Sequence, residues 1–302
     1  MILGFLNLTW PVFADALALG GIYALMAVGI GLVFGVLRLV NFAYGQLIMA
    51  GAFALAYGGQ WGWPNWASIL FCFGVVLALS VLMDRLVFRP LRLHSPAVML
   101  VATFAVAFLL QNIALLAFGS LGKTAGSLAV LQAPWDIGGV FIRKIAIIAV
   151  ATAAGCLVLL QLLLTRTPVG LHMRAAAMDF RTARMLGVRA NRVIAGAVLI
   201  SGLFAAVSAV LLSVEQTQVT YTFALPETIV VLAGVVVGGL NRPVSATLGG
   251  FTIGFAYGLL GGILPTNQSQ YLNSFIFAAV IVVLLVRPSG LFTRAGGAVE
   301  RV

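Results

Sequence analysis

The sequence predicts an all-α, polytopic membrane protein of about eight transmembrane helices, with short or broken helices in both halves and a long cytoplasmic loop. Of the 302 residues, 62% are hydrophobic and only 8% are charged, whereas soluble domains carry about 25% charged residues. The hydrophobic residues form runs, and most of these runs contain about 20 residues, the number that a helix needs to cross a bilayer. The positive charges lie between these runs, as in cytoplasmic loops. The net charge of +10 therefore does not indicate nucleic-acid binding.

The apolar runs differ in length. Those at 42–58 and 227–240 are short and contain glycine, so they are the least certain to cross fully. Trp61, Trp63 and Trp66 follow the first short run, which suits a membrane–water interface. The remaining runs are 12–37, 67–88, 97–118, 145–164, 193–214, 245–264 and 271–286.

The basic residues predict the orientation. If the loop at 165–192 is cytoplasmic and the runs alternate in direction, fourteen of the seventeen Lys and Arg residues lie on the cytoplasmic side. Only Lys123, Arg143 and Lys144 fall outside. We therefore expect an external N-terminus and a cytoplasmic C-terminus.

The loop at 165–192 carries six of the seventeen basic residues and predicts two short helices. Pro168 suits the first turn of a helix, where its missing N–H costs nothing. Asp179 is predicted to cap a second helix over 180–186 through its carboxylate. Gly187 is predicted to end that helix, because glycine adopts the left-handed conformation at little cost.

One face of the second helix carries Phe180, Ala183 and Leu186. An isolated helix of about seven residues is unstable in water, so this one must pack on something. Its apolar stripe with basic flanks could dock into a groove on a soluble partner. Alternatively, the helix lies on anionic lipid at the membrane interface.

A few polar residues interrupt the apolar runs, and such groups are expensive in a membrane and often functional. Asn41, Gln46, Gln111 and Asn112 are therefore candidates for lining a substrate path, although each could instead bond a neighbouring helix. Glycine-containing segments near 38–46 and 234–243 form a pair in the two halves, which points to a transporter. Close packing of helices through glycine is the alternative.

Several kinds of chemistry lack their signals in this sequence. There is no phosphate-binding glycine-rich loop ending in Lys-Ser/Thr, so the chain is not expected to hydrolyse ATP itself. His94 and His172 lie in predicted cytoplasmic loops, so a proton relay is not evident. Cys72 and Cys156 lie in apolar runs without metal-ligand spacing. We expect no enzymatic activity, metal or cofactor in this chain.

Several segments together resemble the branched-chain amino acid ABC importer permeases, most closely the LivH-type inner-membrane subunit. One departure is Tyr44, where that family commonly has histidine. The resemblance rests on GGIYAL at 20–25, GIGLVFGVL at 29–37, NFAYG at 41–45, Pro90-Leu91-Arg92, the loop residues Gly170, Arg174-Ala175, Asp179, Ala183 and Leu186-Gly187, and RPSGLF at 287–292.

The resemblance implies that residues 1–302 form one permease domain in the bacterial cytoplasmic (inner) membrane. Implied partners are a second permease, in a heterodimer, two cytoplasmic ATPase subunits that hold ATP and Mg, a periplasmic binding protein and membrane lipid. The implied substrates are branched-chain or related hydrophobic amino acids. The same permease type could serve urea, amides or other amino acids, and an ion-coupled secondary carrier or a passive channel is a further alternative.

The resemblance also implies that 165–192 is the coupling loop that contacts the ATPases. Phe180, Ala183 and Leu186 would then dock, and Asp179 and Gly187 would fix the ends of the docking helix. Arg174 would make a charged contact with an ATPase or with lipid phosphate.

Overall fold

The computed structural model describes residues 10–37, 40–91, 94–137, 140–178, 180–239, 243–265, 267–287 and 290–292. These residues are mostly helical, which confirms the predicted fold class. A π-helical turn, Asp84–Phe88, continues α3 into α4. The helices are α1 Trp10–Leu37, α2 Tyr44–Gln60, α3 Asn65–Met83, α4 Arg89–Leu91, α5 Pro96–Phe118, α6 Lys144–Arg166, α7 Pro168–Met178, α8 Phe180–Met185, α9 Ala190–Glu215, α10 Leu225–Gly238, α11 Pro243–Ile263 and α12 Leu272–Val286.

Seven helices in the described ranges are long and apolar enough to cross a membrane: α1, α3 with its extension, α5, α6, α9, α11 and α12. The two runs predicted to be least certain form α2, with 17 residues, and α10, with 14. Termini on opposite sides of a membrane require an odd number of crossings. The predicted orientation therefore requires nine crossings and not eight: the seven long helices, and the two chain segments that contain the shorter helices α2 and α10.

Helix α1 is the centre of the bundle. It is apolar on all sides, which is typical of a helix buried among others, and 83% of its most hydrophobic stretch is buried, against 11% for α12. It packs on α6, α9, α10 and α11. The outer helices α5, α6 and α12 expose long apolar side chains, as helices facing lipid do.

One end of the bundle is closed by the connections around α6 and α9. Strands β1 (Lys123–Thr124) and β4 (Gln218–Val219) pair across two loops, and β2 (Pro134–Ile137) pairs with β3 (Val140–Arg143). Beside them, Arg143 binds the carboxylates of Asp15 and Glu215. The start of α1, the start of α6 and the end of α9 therefore share this end.

The opposite end gathers α7, the start of α9 and the ends of α10 and α12. Met173 of α7 packs against Gly196 in the second turn of α9. The Leu291 N–H, after α12, donates to the Val237 carbonyl of α10 at 2.7 Å. The grouping of helix ends is the one that alternating spans predict.

Candidate functional site

The loop at 165–192 folds into two short helices, as predicted. The Thr167 hydroxyl accepts a hydrogen bond from the Gly170 N–H at 3.1 Å and donates to the Leu163 carbonyl at 2.7 Å. Thr167 therefore caps α7, and Pro168 takes the first helical position. Gly170 lies directly against the Leu163 carbonyl, so no side chain fits there. These contacts fix α7 against the end of α6.

Helix α8 ends where the sequence predicts, within one residue. Gly187 has a φ of +88°, and the Val188 N–H donates to the Ala183 carbonyl at 3.1 Å. This bond across a left-handed glycine is the Schellman ending, which satisfies a free helix carbonyl. Asp179, the predicted cap, lies outside the described residues.

The predicted coupling residues have different surroundings. Leu186 is 81% exposed, and Met185 beside it is 82% exposed. Arg174 is also exposed, whereas Ala183 is buried within the chain itself. Phe180 begins α8, but its side chain is not among those described. The loop thus presents an exposed apolar patch, Met185 and Leu186, at the end of α8, while Ala183 of the same helix packs inward.

A second polar region forms where α2 and α10 begin. Gly45 lies in the first turn of α2. A Cβ added to it would lie 3.1 Å from the Ala224 carbonyl oxygen and closer still to the Thr228 hydroxyl. Both helices are shorter than a bilayer: α10 spans about 21 Å at 1.5 Å per residue, against about 30 Å of hydrocarbon. The end of α10 meets the segment after α12. The start of α10, and with it the start of α2, lies about 21 Å from that end, which is less than the thickness of the hydrocarbon core.

Gln46 and Glu227 occupy the third position of these two helices. Gln46 is 1% exposed, and neither atom of its amide has a hydrogen-bond partner among the described residues. Glu227 is 9% exposed; its Oε1 accepts a hydrogen bond from Gln216 Nε2, while its Oε2 is unpartnered among the same residues. Unpaired buried polar groups are costly, and each one requires an explanation.

The four predicted path residues lie in two places. Asn41 is buried, and its Oδ1 accepts the Ala43 N–H at 3.0 Å, which shapes the turn before α2. Gln46 follows in the first turn of that helix. Asn112 is exposed on α5 and donates to the Phe108 carbonyl at 2.8 Å, and Gln111 beside it is half-buried. The structure therefore brings Asn41 and Gln46 to the helix starts, with Asn112 on an outer surface.

Glu227 and Gln216 were not predicted as path residues. The sequence places Glu227 near the end of a short span, and only folding brings that end against α2. One sequence signal could have identified Glu227: Gln46 and Glu227 each lie three residues after an alanine that directly precedes a short helix. The sequence pairs the segment 234–243 with 38–46, and glycines in both pack closely. A Cβ at Gly238 would lie 2.9 Å from Gly249 Cα, and one at Gly45 would lie 3.1 Å from the Ala224 carbonyl oxygen.

An ion-pair network lies at the end of the bundle that carries the strands, where α1 and α6 begin and α9 ends. Arg143 Nε donates to Asp15 Oδ1 at 2.8 Å, and its Nη1 and Nη2 donate to Glu215 at 2.9 and 3.1 Å. Burial alone would lower the pKa of Arg143, but its hydrogen bonds with Asp15 and Glu215 and their charges raise that pKa overall. The guanidinium thus stays charged and holds three helices together.

Comparison with known proteins identifies a family whose model covers most of the chain. The family described as "Branched-chain amino acid transport system / permease component" matches residues 12–285. The permease BraD of Pseudomonas aeruginosa, described as part of a high-affinity branched-chain amino acid transport system, is 27% identical over 93% of this chain and 94% of its own length. LivH of Escherichia coli K12, with the same description, is 28% identical over the same shares.

Solved structures share the fold. PsaBC from Streptococcus pneumoniae in complex with Fab matches with a TM-score of 0.53 and 14% identity, over 96% of this chain and 97% of that one. An inward-facing structure of a proposed metal-chelate type ABC transporter matches with a TM-score of 0.50 and 19% identity, over 92% and 86%. At these identities the likeness concerns the fold alone.

Proposed function

The chain belongs to this family of permease components of branched-chain amino acid transport systems, and on that premise we propose that it carries branched-chain or related hydrophobic amino acids inward. The observation that carries the proposal is the match of nearly the whole chain to permeases of this transport type. The chain is a transport subunit and not an enzyme. Permeases of ABC transporters act with other subunits, so the energy for transport is supplied to this chain by those subunits.

The partners that we propose are a second permease, two ATPase subunits that bind ATP and Mg, and a periplasmic binding protein. The membrane is the bacterial inner membrane, with the N-terminus external and the loop at 165–192 in the cytoplasm. The basic residues support this orientation, because most of them fall on one side when the spans alternate.

In the proposed coupling, α8 docks into a groove on an ATPase through Leu186 and Met185, with Phe180 on the same short helix. Exposed apolar side chains at one end of a helix are typical of such docking. Gly187 and Asp179 fix the ends of α8, and Ala183 anchors it inward. Arg174 contacts an ATPase carboxylate or a lipid phosphate. Closure of the ATPases on ATP would move α8, and α7 would pass that motion to α1 and α9, which it contacts.

The test is the ATPase activity of the reconstituted importer in lipid vesicles. Its parts are this chain, a candidate second permease, two candidate ATPases and a candidate binding protein. Stimulation that requires both the binding protein and leucine, isoleucine or valine is the expected result. Stimulation by urea, an amide or another amino acid would retain the mechanism and change the substrate. Uptake by the chain alone, without assembly on any ATPase, would contradict the proposal.

A further inference from the structure

The starts of α2 and α10 form an electrostatically asymmetric site. The first-turn N–H groups of a helix lack intrahelical partners, and the aligned peptide dipoles place partial positive charge there. In α2, Tyr44 and Gln46 donate to turn carbonyls, and in α10, Leu225 and Thr228 do the same. The N–H groups of Gly45 and Glu227 have no partner among the described residues, and no side chain caps either helix.

A glutamate or glutamine at the third helical position often bonds back to the N-cap N–H. In the described part of the chain, neither Gln46 nor Glu227 does so. Glu227 instead accepts a hydrogen bond from Gln216 through Oε1, and its Oε2 and both amide atoms of the Gln46 side chain have no partner among the described residues. Local capping therefore does not explain why these two polar side chains are buried at adjacent helix starts.

Free N–H groups suit an anion, and a free carboxylate oxygen suits a cation. We propose that the N-terminal ends of α2 and α10, with Gln46, Gln216 and Glu227, form a transient binding site for a zwitterionic α-amino acid. The ammonium group binds Glu227 Oε2, and the carboxylate binds the helix N–H groups and the Gln46 amide. This inference rests on the proposed function. It names the residues that bind the ammonium and carboxylate groups, which all α-amino acids share.

The surroundings suit an aliphatic side chain. Tyr23 of α1 and Tyr257 of α11 pack together, with their ring centroids 5.9 Å apart. Tyr257 also lines a cavity of about 250 Å³ between α1 and α11, together with Val12 and Leu19. Asp15 faces the same cavity but is paired with Arg143. Glu227 does not line this cavity, and it has no basic partner among the described residues.

The test uses the reconstituted importer with Glu227→Gln, which removes the charge and keeps an acceptor for Gln216. Uptake of leucine should fall at least about tenfold, the loss expected for a charge-assisted hydrogen bond. Assembly, and stimulation of the ATPases by loaded binding protein, should remain. Glu227→Asp, which keeps the charge, should transport several times faster than Glu227→Gln. Glu215→Gln is the matched control and should stay within about twofold of wild type.

Equal uptake by Glu227→Gln and Glu215→Gln would overturn the proposal, as would equal loss in Glu227→Asp and Glu227→Gln when both assemble. If neither Glu227 variant assembles, Gln46→Met carries the test: uptake should fall at least about fivefold with ATPase stimulation intact, and wild-type uptake would overturn the site. A wild-type importer that carries only urea contradicts both this inference and the proposed function. Leucine uptake that survives loss of the Glu227 charge contradicts this inference alone.

Discussion

The α1–α11 contact and the α7–α8 loop both depend on glycine, for opposite reasons. Gly250, Gly254, Gly258 and Gly262 recur every four residues along α11 and face α1. A Cβ at Gly254 would lie 2.7 Å from Tyr23 Cβ, and one at Gly258 would lie 2.5 Å from Ala16 Cα. Gly187 has nothing within 4 Å of its Cβ position, but its φ is +88°.

The difference separates two uses of the same residue. Along α11 the backbone is ordinary helix, and only hydrogen fits between the two backbones, which is how membrane helices approach closely. At Gly187 space is free, and only the left-handed conformation excludes other side chains. The contact with α1 therefore responds to the size of a substituted side chain, whereas the loop responds to its conformational preference.

Gly258→Leu should have the largest effect, because the new side chain meets the Ala16 backbone, which cannot move aside as a flexible side chain can. Overpacking typically costs about 1–3 kcal/mol, and more where backbone is in the way. We expect loss of most folded protein, measured as monodisperse yield after purification in detergent. Gly155→Leu on α6 is the control, because its Cβ position is open. Equal yields of the two variants would contradict the close α1–α11 contact.

Gly187→Val should come next and act on function instead of folding. A β-branched residue at positive φ is strained by about 1–2 kcal/mol, so the end of α8 should shift while the bundle remains intact. We expect insertion to be unchanged and ATP hydrolysis to continue, with uptake falling at least about fivefold. Gly187→Asn is the control, since asparagine tolerates the left-handed region, and it should keep uptake near wild type. Normal uptake by Gly187→Val would defeat the coupling assignment.

Arg143→Gln tests whether ion pairs between side chains stabilise the bundle in addition to the close backbone contacts between α1 and α11. The change leaves the carboxylates of Asp15 and Glu215 without their cation, and we expect a loss of about 1–2 kcal/mol. A decrease in Tm of the purified chain would measure it, and the decrease should shrink at high salt. Lys144→Gln is the neighbouring control, with little expected change. Equal Tm values for the two variants would mean that the ion pairs add nothing measurable.

Asn112→Ala should have the smallest effect, because Asn112 lies outside both regions, exposed on α5. Removing its bond to the Phe108 carbonyl should change uptake by less than about twofold, as for most surface substitutions. Radiolabelled leucine uptake by the importer would measure this, beside Gln46→Met. A loss as large as that of Gln46→Met would restore Asn112 to the substrate path predicted from the sequence.

The features that the sequence predicted well are local. Run length and composition located the membrane helices, and Pro168 and Gly187 marked the start of α7 and the end of α8, because these residues act on their own backbone. Polar residues in apolar runs pointed to Gln46, which is buried at a helix start. The same reasoning selected Asn112, which bonds its own helix, since polarity alone does not say which way a side chain faces.

The features that the sequence missed depend on distant contacts. Gly45 and Ala224 are 179 residues apart in the chain yet adjacent in space. Nothing local in either segment says that the two helix starts meet, so the sequence alone places Glu227 only at the edge of a short span. The four-residue spacing of glycines along α11 was present, but it does not identify α1 as the partner. Packing between helices chooses that partner.

The glycine stripe of α11 also constrains how this chain can change over time. Every substitution at Gly258 adds volume where α1 offers only backbone, and α1 has no smaller residue to give at Ala16 except glycine. Substitutions at these positions must therefore accumulate slowly or occur in matched pairs. In such a pair, a methyl group added on α11 is compensated by a methyl group removed from α1. The lipid-facing side of α12, which meets few neighbours, is free to vary one residue at a time.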